Sequence, residues 1–227
     1  MVRLGLSSGS VPGLAAGELA ALVRAAGGTV ADLRAGKGHR WEEQGIAGLD
    51  GLAVSFVGIS AVLGADGQDL SAAERYPDRR VKVFAAPGSA DAPATAEQMA
   101  ALTKRRAPER VLVETHRGGA SPEELVALCR RHGCRLVLDN LGLDDIADDF
   151  ASAVPPLAPW TAAVQVKGYD RPEGGGRPPH RPLRATDLGW LGAVAAPGTD
   201  ITVESRSGTP HEDLTTLRTV WEAIACA

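Results

Sequence analysis

The sequence predicts an α/β protein folded as one short (β/α)8 TIM barrel over residues 1–227. Three observations lead there. Eight short aliphatic runs recur along the chain, helix-compatible segments separate them, and no Gly-rich phosphate fingerprint follows the first run. Strands alternating with helices demand a parallel sheet, and eight of them fit a closed barrel better than an open doubly wound sheet. Ser7-Ser8-Gly9-Ser10 lacks the spacing of a dinucleotide-binding turn, which removes the main support for a Rossmann arrangement.

Each element has a local reason. Predicted strands are Arg3–Leu6, Thr29–Leu33, Leu52–Val57, Val81–Phe84, Val111–Val113, Leu136–Leu138, Ala163–Val166 and Ile201–Val203. The clearest unit runs from Val111 to Asn140. Its first strand is apolar on both faces, as a covered parallel strand must be. Ser121-Pro122-Glu123-Glu124 then supplies an N-cap, a proline at the first helical position and a capping-box glutamate. Leu125, Leu128 and Cys129 follow at helical spacing, and Gly133 stops the helix. Other helix-compatible segments are Leu14–Ala26, Trp41–Leu49, Ser71–Tyr76, Thr95–Arg105, Ile146–Ala151 and Leu188–Val194. A last helix, Pro210–Ala225, opens on a second capping box at Thr209-Pro210-His211-Glu212. At 227 residues the chain is at the short end for this fold, so helices two, three and six should be stubby.

Composition narrows the function. A formal net charge of −4 argues against nucleic acid as a partner. No apolar run approaches the roughly 20 residues of a membrane span, and MVRLGLSSGS reads as a strand rather than a signal peptide. Cys129 and Cys134, five apart, match no zinc spacing and read as buried thiols of a reducing, cytoplasmic protein. A small-molecule substrate is therefore expected, acted on by a monomer or homodimer.

The loops after the strands share one mouth, where parallel barrels build their sites. Strand two leads into Asp32-Leu33-Arg34 and then Lys37, His39 and Trp41. Strand three leads into Gly58-Ile59-Ser60, and strand five into Glu114, His116 and Arg117. Strand six brings Asp139 and Asn140, strand seven Gln165 and Lys167, and strand eight Glu204 and Arg206. The Arg-rich loop 171–187 is read either as a solvated linker or as a cover for the mouth. Lys37 and His39 could bind an anionic group, or the turn could simply anchor Trp41. Lys167 shares a strand face with Gln165, and could pair with a mouth carboxylate or act as a cation that substrate replaces.

Glu114, Asp139, Gln165 and Glu204 close four consecutive strands. Close carboxylates raise one another's pKa unless a cation lies among them, and an oxygen-rich set suits Mn²⁺ or Mg²⁺. Taken singly, each acid would more often cap a helix or pair with an arginine. Together they predict side-chain oxygens within roughly 5 Å of one another.

The segment from Glu114-Thr115-His116 through Asp139 and VQVKGYD to Glu204 resembles the xylose isomerase-like barrels of sugar and sugar-phosphate isomerases and epimerases. PLRATDLGW resembles their segment after strand seven. The resemblance implies one divalent metal on Glu114, Asp139, Gln165 and Glu204, with Glu114 and Glu204 moving protons. From their places at the mouth, His39, Lys37, His116, Lys167 and Arg206 are expected to contact substrate. Two departures stand out. Gln165 replaces a frequent histidine, as in the hydroxypyruvate isomerase-like branch, and Gly142 stands where a substrate-touching histidine often follows the strand-six Asp. Three function classes result: an isomerase or epimerase of a small hydroxy-carbonyl compound, a lyase or dehydratase, and a non-catalytic barrel that binds a partner.

Overall fold

The structure, a computed structural model, describes residues 1–174 and 176–226. Eight parallel strands close into a barrel: β1 (Arg3–Ser7), β2 (Val30–Arg34), β3 (Ala53–Leu63), β4 (Val81–Ala85), β5 (Val111–Glu114), β6 (Arg135–Asp139), β7 (Thr161–Val166) and β8 (Asp200–Val203). Closure comes from β1 pairing with β8, Leu4 opposite Ile201 and Leu6 opposite Val203. The predicted fold class is observed, and every predicted strand is present, with β3 running six residues past its predicted end.

Alternation sorts the side chains into two layers. Leu4, Leu6, Val81, Val83, Val111, Val113, Leu136, Leu138, Val164 and Val166 face the helices and form the main core. A second, separate cluster of Phe56, Leu112, Val137 and Ala163 fills the barrel's interior. Each fully buried Leu or Val side chain contributes about 1.5–3 kcal/mol, so the outer layer carries most of the apolar stabilisation. Below the inner cluster, Arg3 donates to both Asp200 oxygens at 2.7 and 2.9 Å.

The helices are α1 (Ala16–Ala25), α2 (Ser71–Glu74), α3 (Pro93–Thr103), α4 (Pro122–His132), α5 (Asn140–Ile146), α6 (Phe150–Leu157) and α7 (Pro210–Ala225). The Ser121 capping box forms as expected, with Glu124 N donating to Ser121 Oγ at 3.3 Å and Ser121 N to Glu124 Oε2 at 2.8 Å.

Five expectations need correction. Trp41–Leu49 forms two 3₁₀ turns, Arg40–Glu43 and Ile46–Leu49, broken at Gly45, whose φ is 65°. Leu188–Val194 is not an α-helix but a turn and one short 3₁₀ helix, Leu191–Ala193, consistent with Gly189 and Gly192 inside it. In place of one helix at Ile146–Ala151 stand α5 and α6, each started by an aspartate: Gly142 N donates to Asp139 Oδ1, and Ser152 N to Asp149 Oδ2. Pro155 and Pro156 lie inside α6 and hide it from a sequence reading. Thr209 makes no cap bond; its hydroxyl donates to Asp213 and Ser207. Finally, Gly58-Ile59-Ser60 is no loop but part of β3, which runs on to Leu63 across a register shift.

Candidate active site

The inward positions at the C-terminal end of the strands are charged. One oxygen from each of Glu114, Asp139 and Glu204 lies within 4.8 Å of the others, so these three carboxylates could hold a metal ion. All three are buried, at 5%, 1% and 6% exposure. They floor a cavity of about 350 Å³ lined also by Gly9, His116, Lys167, Arg177, His180 and Arg206. A Cβ on Gly9 would come within 2.7 Å of Glu204 Oε1, so a larger residue there would displace that carboxylate.

Each carboxylate already has a cation. Glu114 is ion-paired with Lys82 of β4, a charge contact rather than a directed hydrogen bond. The Lys82 ammonium also sits 4.0 Å from the Phe84 ring centroid. Asp139 Oδ2 is paired with Lys167, while its other oxygen caps α5. Glu204 accepts from Lys167 Nζ at 2.9 Å and lies 3.1 Å from Arg34 Nε. Arg34 closes β2 at the mouth, so this is not a pairing with the helix layer.

These partners set the ionisation. Burial opposes charge on Glu204, yet Lys167, Arg34 and Lys82 outweigh it and hold the pKa at about 2. Burial, with Glu114 and Glu204, pushes Asp139 up to about 6 against the pull of Lys167, which still leaves it ionised at neutral pH. Burial opposes charge on Lys167 as well, but Asp139, Glu204 and Glu114 win and raise its pKa well above the ordinary lysine value. The resting site is therefore a compact lattice of opposite charges.

Gln165, opposite Asp139 in strand register, is tied to Asp32. Its Nε2 donates to Asp32 Oδ2 at 3.2 Å, and its Oε1 has no hydrogen-bond partner among the described residues. Asp32 is wholly buried and also accepts from Ser7 Oγ at 2.6 Å and Thr202 Oγ1 at 2.5 Å. Burial is the largest influence on it and Glu204 adds repulsion. The three hydrogen bonds offset these only in part, so its pKa rises from 3.8 to about 6. Between those values the folded chain keeps a proton that the unfolded chain has released. Stability therefore falls as pH rises from about 4 to about 6, by about 3 kcal/mol at most. Asp32→Asn should reduce that fall in urea unfolding, leaving the share of Asp139, and be more stable than wild type above the window.

The remaining expected substrate contacts divide. His116 stacks on Phe84 at 4.4 Å between centroids and lines the cavity, as does Arg206, whose backbone N–H donates to His180 Nδ1. His39 is buried, with Nδ1 at 3.1 Å from Ser8 Oγ, and Lys37 is exposed on a turn between two left-handed glycines. Neither His39 nor Lys37 lines the cavity. Trp41 is the anchor of that turn, 1% exposed and donating from Nε1 to Arg34 O. The loop 171–187 is folded against the mouth: Gly168–Tyr169 pairs with His180–Arg181, and Arg177, Pro178 and His180 face the cavity. Gly175 lies outside the described residues.

Gly142 has a steric explanation. A Cβ there would come within 2.0 Å of the Thr115 carbonyl oxygen, which is backbone and cannot swing aside. No histidine fits unless α5 shifts. Gly142→Ala is expected to cost about 3 kcal/mol, read as a lower denaturant midpoint.

Sequence reasoning named Arg34 only in passing and missed Lys82, Asn140's role and the Ser7–Asp32–Thr202 layer. A signal existed for Lys82 and Asp32. Each is a lone charge inside a short aliphatic strand, a place that needs a buried partner.

No protein-family model matches the chain, and no curated protein matches its sequence. Solved structures match its fold. The chain is similar to an L-ribulose 3-epimerase at 15% identity and TM-score 0.66, over 100% of this chain and 96% of that one. It is similar to the probable 3-DHS dehydratase AsbF of Bacillus anthracis, involved in petrobactin synthesis, at 14% identity and TM-score 0.67, over 98% and 99%. A zinc-bound IolI protein aligns at 12% identity and TM-score 0.63, over 98% and 97%. These likenesses show a shared fold, the closed barrel of eight parallel strands. Among the described residues no helix is long and apolar enough to cross a membrane.

Proposed function

We propose that the chain is an enzyme that isomerises or epimerises a small hydroxy-carbonyl compound: a sugar, a sugar acid or a sugar phosphate. The observation that supports this most is the convergence of Glu114, Glu204 and Lys167 on the floor of one cavity. The fold is shared with solved epimerases and a dehydratase, which fits the same chemistry. A hydrogen beside a carbonyl is weakly acidic, so its removal needs a carboxylate base and a positive group at the oxygen that gains charge. Lys167 can supply that positive group. On binding, its ammonium turns from Glu204 toward the substrate carbonyl, and Glu204, relieved of one cation, becomes a stronger base. Glu114, from three strands away round the barrel, serves the opposite face of the substrate and returns a proton there. Arg117, Arg177, Arg206 and His180 line the walls and favour a substrate that carries a carboxylate or phosphate.

Mn²⁺ or Mg²⁺ on Glu114, Asp139, Gln165 and Glu204 would supply Lewis acidity, and the unpartnered Gln165 oxygen suits such an ion. The arrangement as a whole does not fit one. Lys82, Lys167 and Arg34 already balance three carboxylates, and Lys167 occupies the oxygens that an ion would need. A dehydratase would begin with the same proton abstraction and then expel water.

The test is incubation in deuterium oxide with a panel of ketoses, keto acids and their phosphates. Deuterium should enter the carbon beside the carbonyl of any compound turned over. Turnover without label would instead indicate a hydride shift and reject the two-glutamate scheme.

A further inference from the structure

We infer that Lys167 is the resident cation of this site and keeps divalent ions out of it. Four observations carry the inference. The Lys167 ammonium bridges Asp139 and Glu204, two of the three carboxylates that cluster at the mouth. Its backbone is pinned independently of that charge: Asn140 Nδ2 donates to Lys167 O, and Lys167 N donates to Asn140 Oδ1, each at 2.9 Å. The bracket fixes the root of the side chain over the carboxylates, so the ammonium is placed by the fold. The third carboxylate, Glu114, has its own lysine, and β3 makes room for it. A Cβ on Gly58 would come within 2.9 Å of Lys82 Cε. Finally, Asp139 has no oxygen to spare, since one caps α5 and the other holds Lys167.

An entering divalent ion would have to expel a buried ammonium and then sit beside Lys82 with surplus positive charge. A resident lysine supplies one positive charge and up to three N–H donors within its side chain's reach. It suits a substrate whose carbonyl oxygen turns anionic, and it frees the site from metal supply. These ion pairs stand whether or not the substrate is a sugar. The test below reads metal occupancy and not turnover, so its failure is distinct from failure of the isomerase reading.

Mn²⁺ is the probe, followed by the loss of its free-ion paramagnetic resonance signal on titration with protein, and by thermal unfolding with and without Mn²⁺. Wild-type protein should leave the free signal unchanged and show no Mn²⁺-dependent rise in Tm. Lys167→Ala uncovers Asp139 and Glu204, and should bind Mn²⁺ at least about tenfold more tightly than wild type. Its Tm should rise with Mn²⁺, and Asp139→Asn in the same background should abolish the gain. Wild-type protein that binds one Mn²⁺, lost in Asp139→Asn, overturns the inference. So does a folded Lys167→Ala variant that binds Mn²⁺ no better than wild type. Should Lys167→Ala fail to fold, the wild-type titration alone decides.

Discussion

Glu114→Gln and Glu204→Gln should each lower turnover by about 10²- to 10⁴-fold, the usual contribution of a positioned proton-transfer group. Glutamine keeps the side chain's size and one acceptor oxygen, so both variants should fold, as far-ultraviolet circular dichroism would show. The more telling readout is the fate of the proton. With one glutamate for each face of the substrate, either variant can still exchange a proton on the face that its surviving carboxylate serves. Neither can complete the inversion. Solvent deuterium should therefore enter one epimer without its conversion to the other, and the favoured epimer should differ between the two variants. The resting charges make Glu204 the more sensitive of the pair. Its basicity depends on Lys167 leaving it, because Lys167 and Arg34 lie at 2.9 and 3.1 Å from its oxygens. Full activity in both variants would mean that the carboxylates only brace the barrel.

The barrel was legible because its determinants are local. Val81-Lys82-Val83 or Leu136-Val137-Leu138 declares a strand by its apolar, β-branched content, whatever the rest of the chain does. The positions of Glu114, Asp139 and Glu204 were legible for a related reason, since a strand's end fixes where its last inward side chain points. Their partners were not. Lys82 is 32 residues before Glu114 and Lys167 is 28 after Asp139, and only the pairing and register of neighbouring strands bring each pair together. Gln165 shows the same limit. Spacing put it at the mouth, but Asp32, 133 residues away in sequence, took its amide. Helices fared worst where backbone polar groups were satisfied by side chains. Asp139 looked like a free carboxylate, yet one oxygen starts α5. The two prolines of α6 counted against a helix whose start Asp149 secures.

Lys82→Met should be among the most destabilising single changes in the chain. Methionine retains the length and apolar stem of lysine, so packing against Gly58 and Phe84 survives and only the charge is lost. What remains is the Glu114 carboxylate, 5% exposed and deprived of its ion-pair partner. Removing one member of a buried pair typically costs about 3–5 kcal/mol, because the other charge is left uncompensated in a poorly polarisable interior. For a chain of this size that corresponds to a fall in Tm of about 10 °C. An exposed pair sets the comparison. Arg171 meets Asp144 and Asp145 at 2.6 and 3.0 Å on the surface, and Arg171→Ala should cost under about 1 kcal/mol. Glu114→Gln alone leaves the Lys82 ammonium beside a neutral amide, and it too should lower Tm. The double variant Lys82→Met with Glu114→Gln removes both charges, so it should be destabilised by clearly less than the sum of the two single changes. A double-mutant cycle from urea unfolding measures that coupling directly. Simple additivity would show that the two charges do not depend on one another, and that Lys82 is not the particular partner of Glu114.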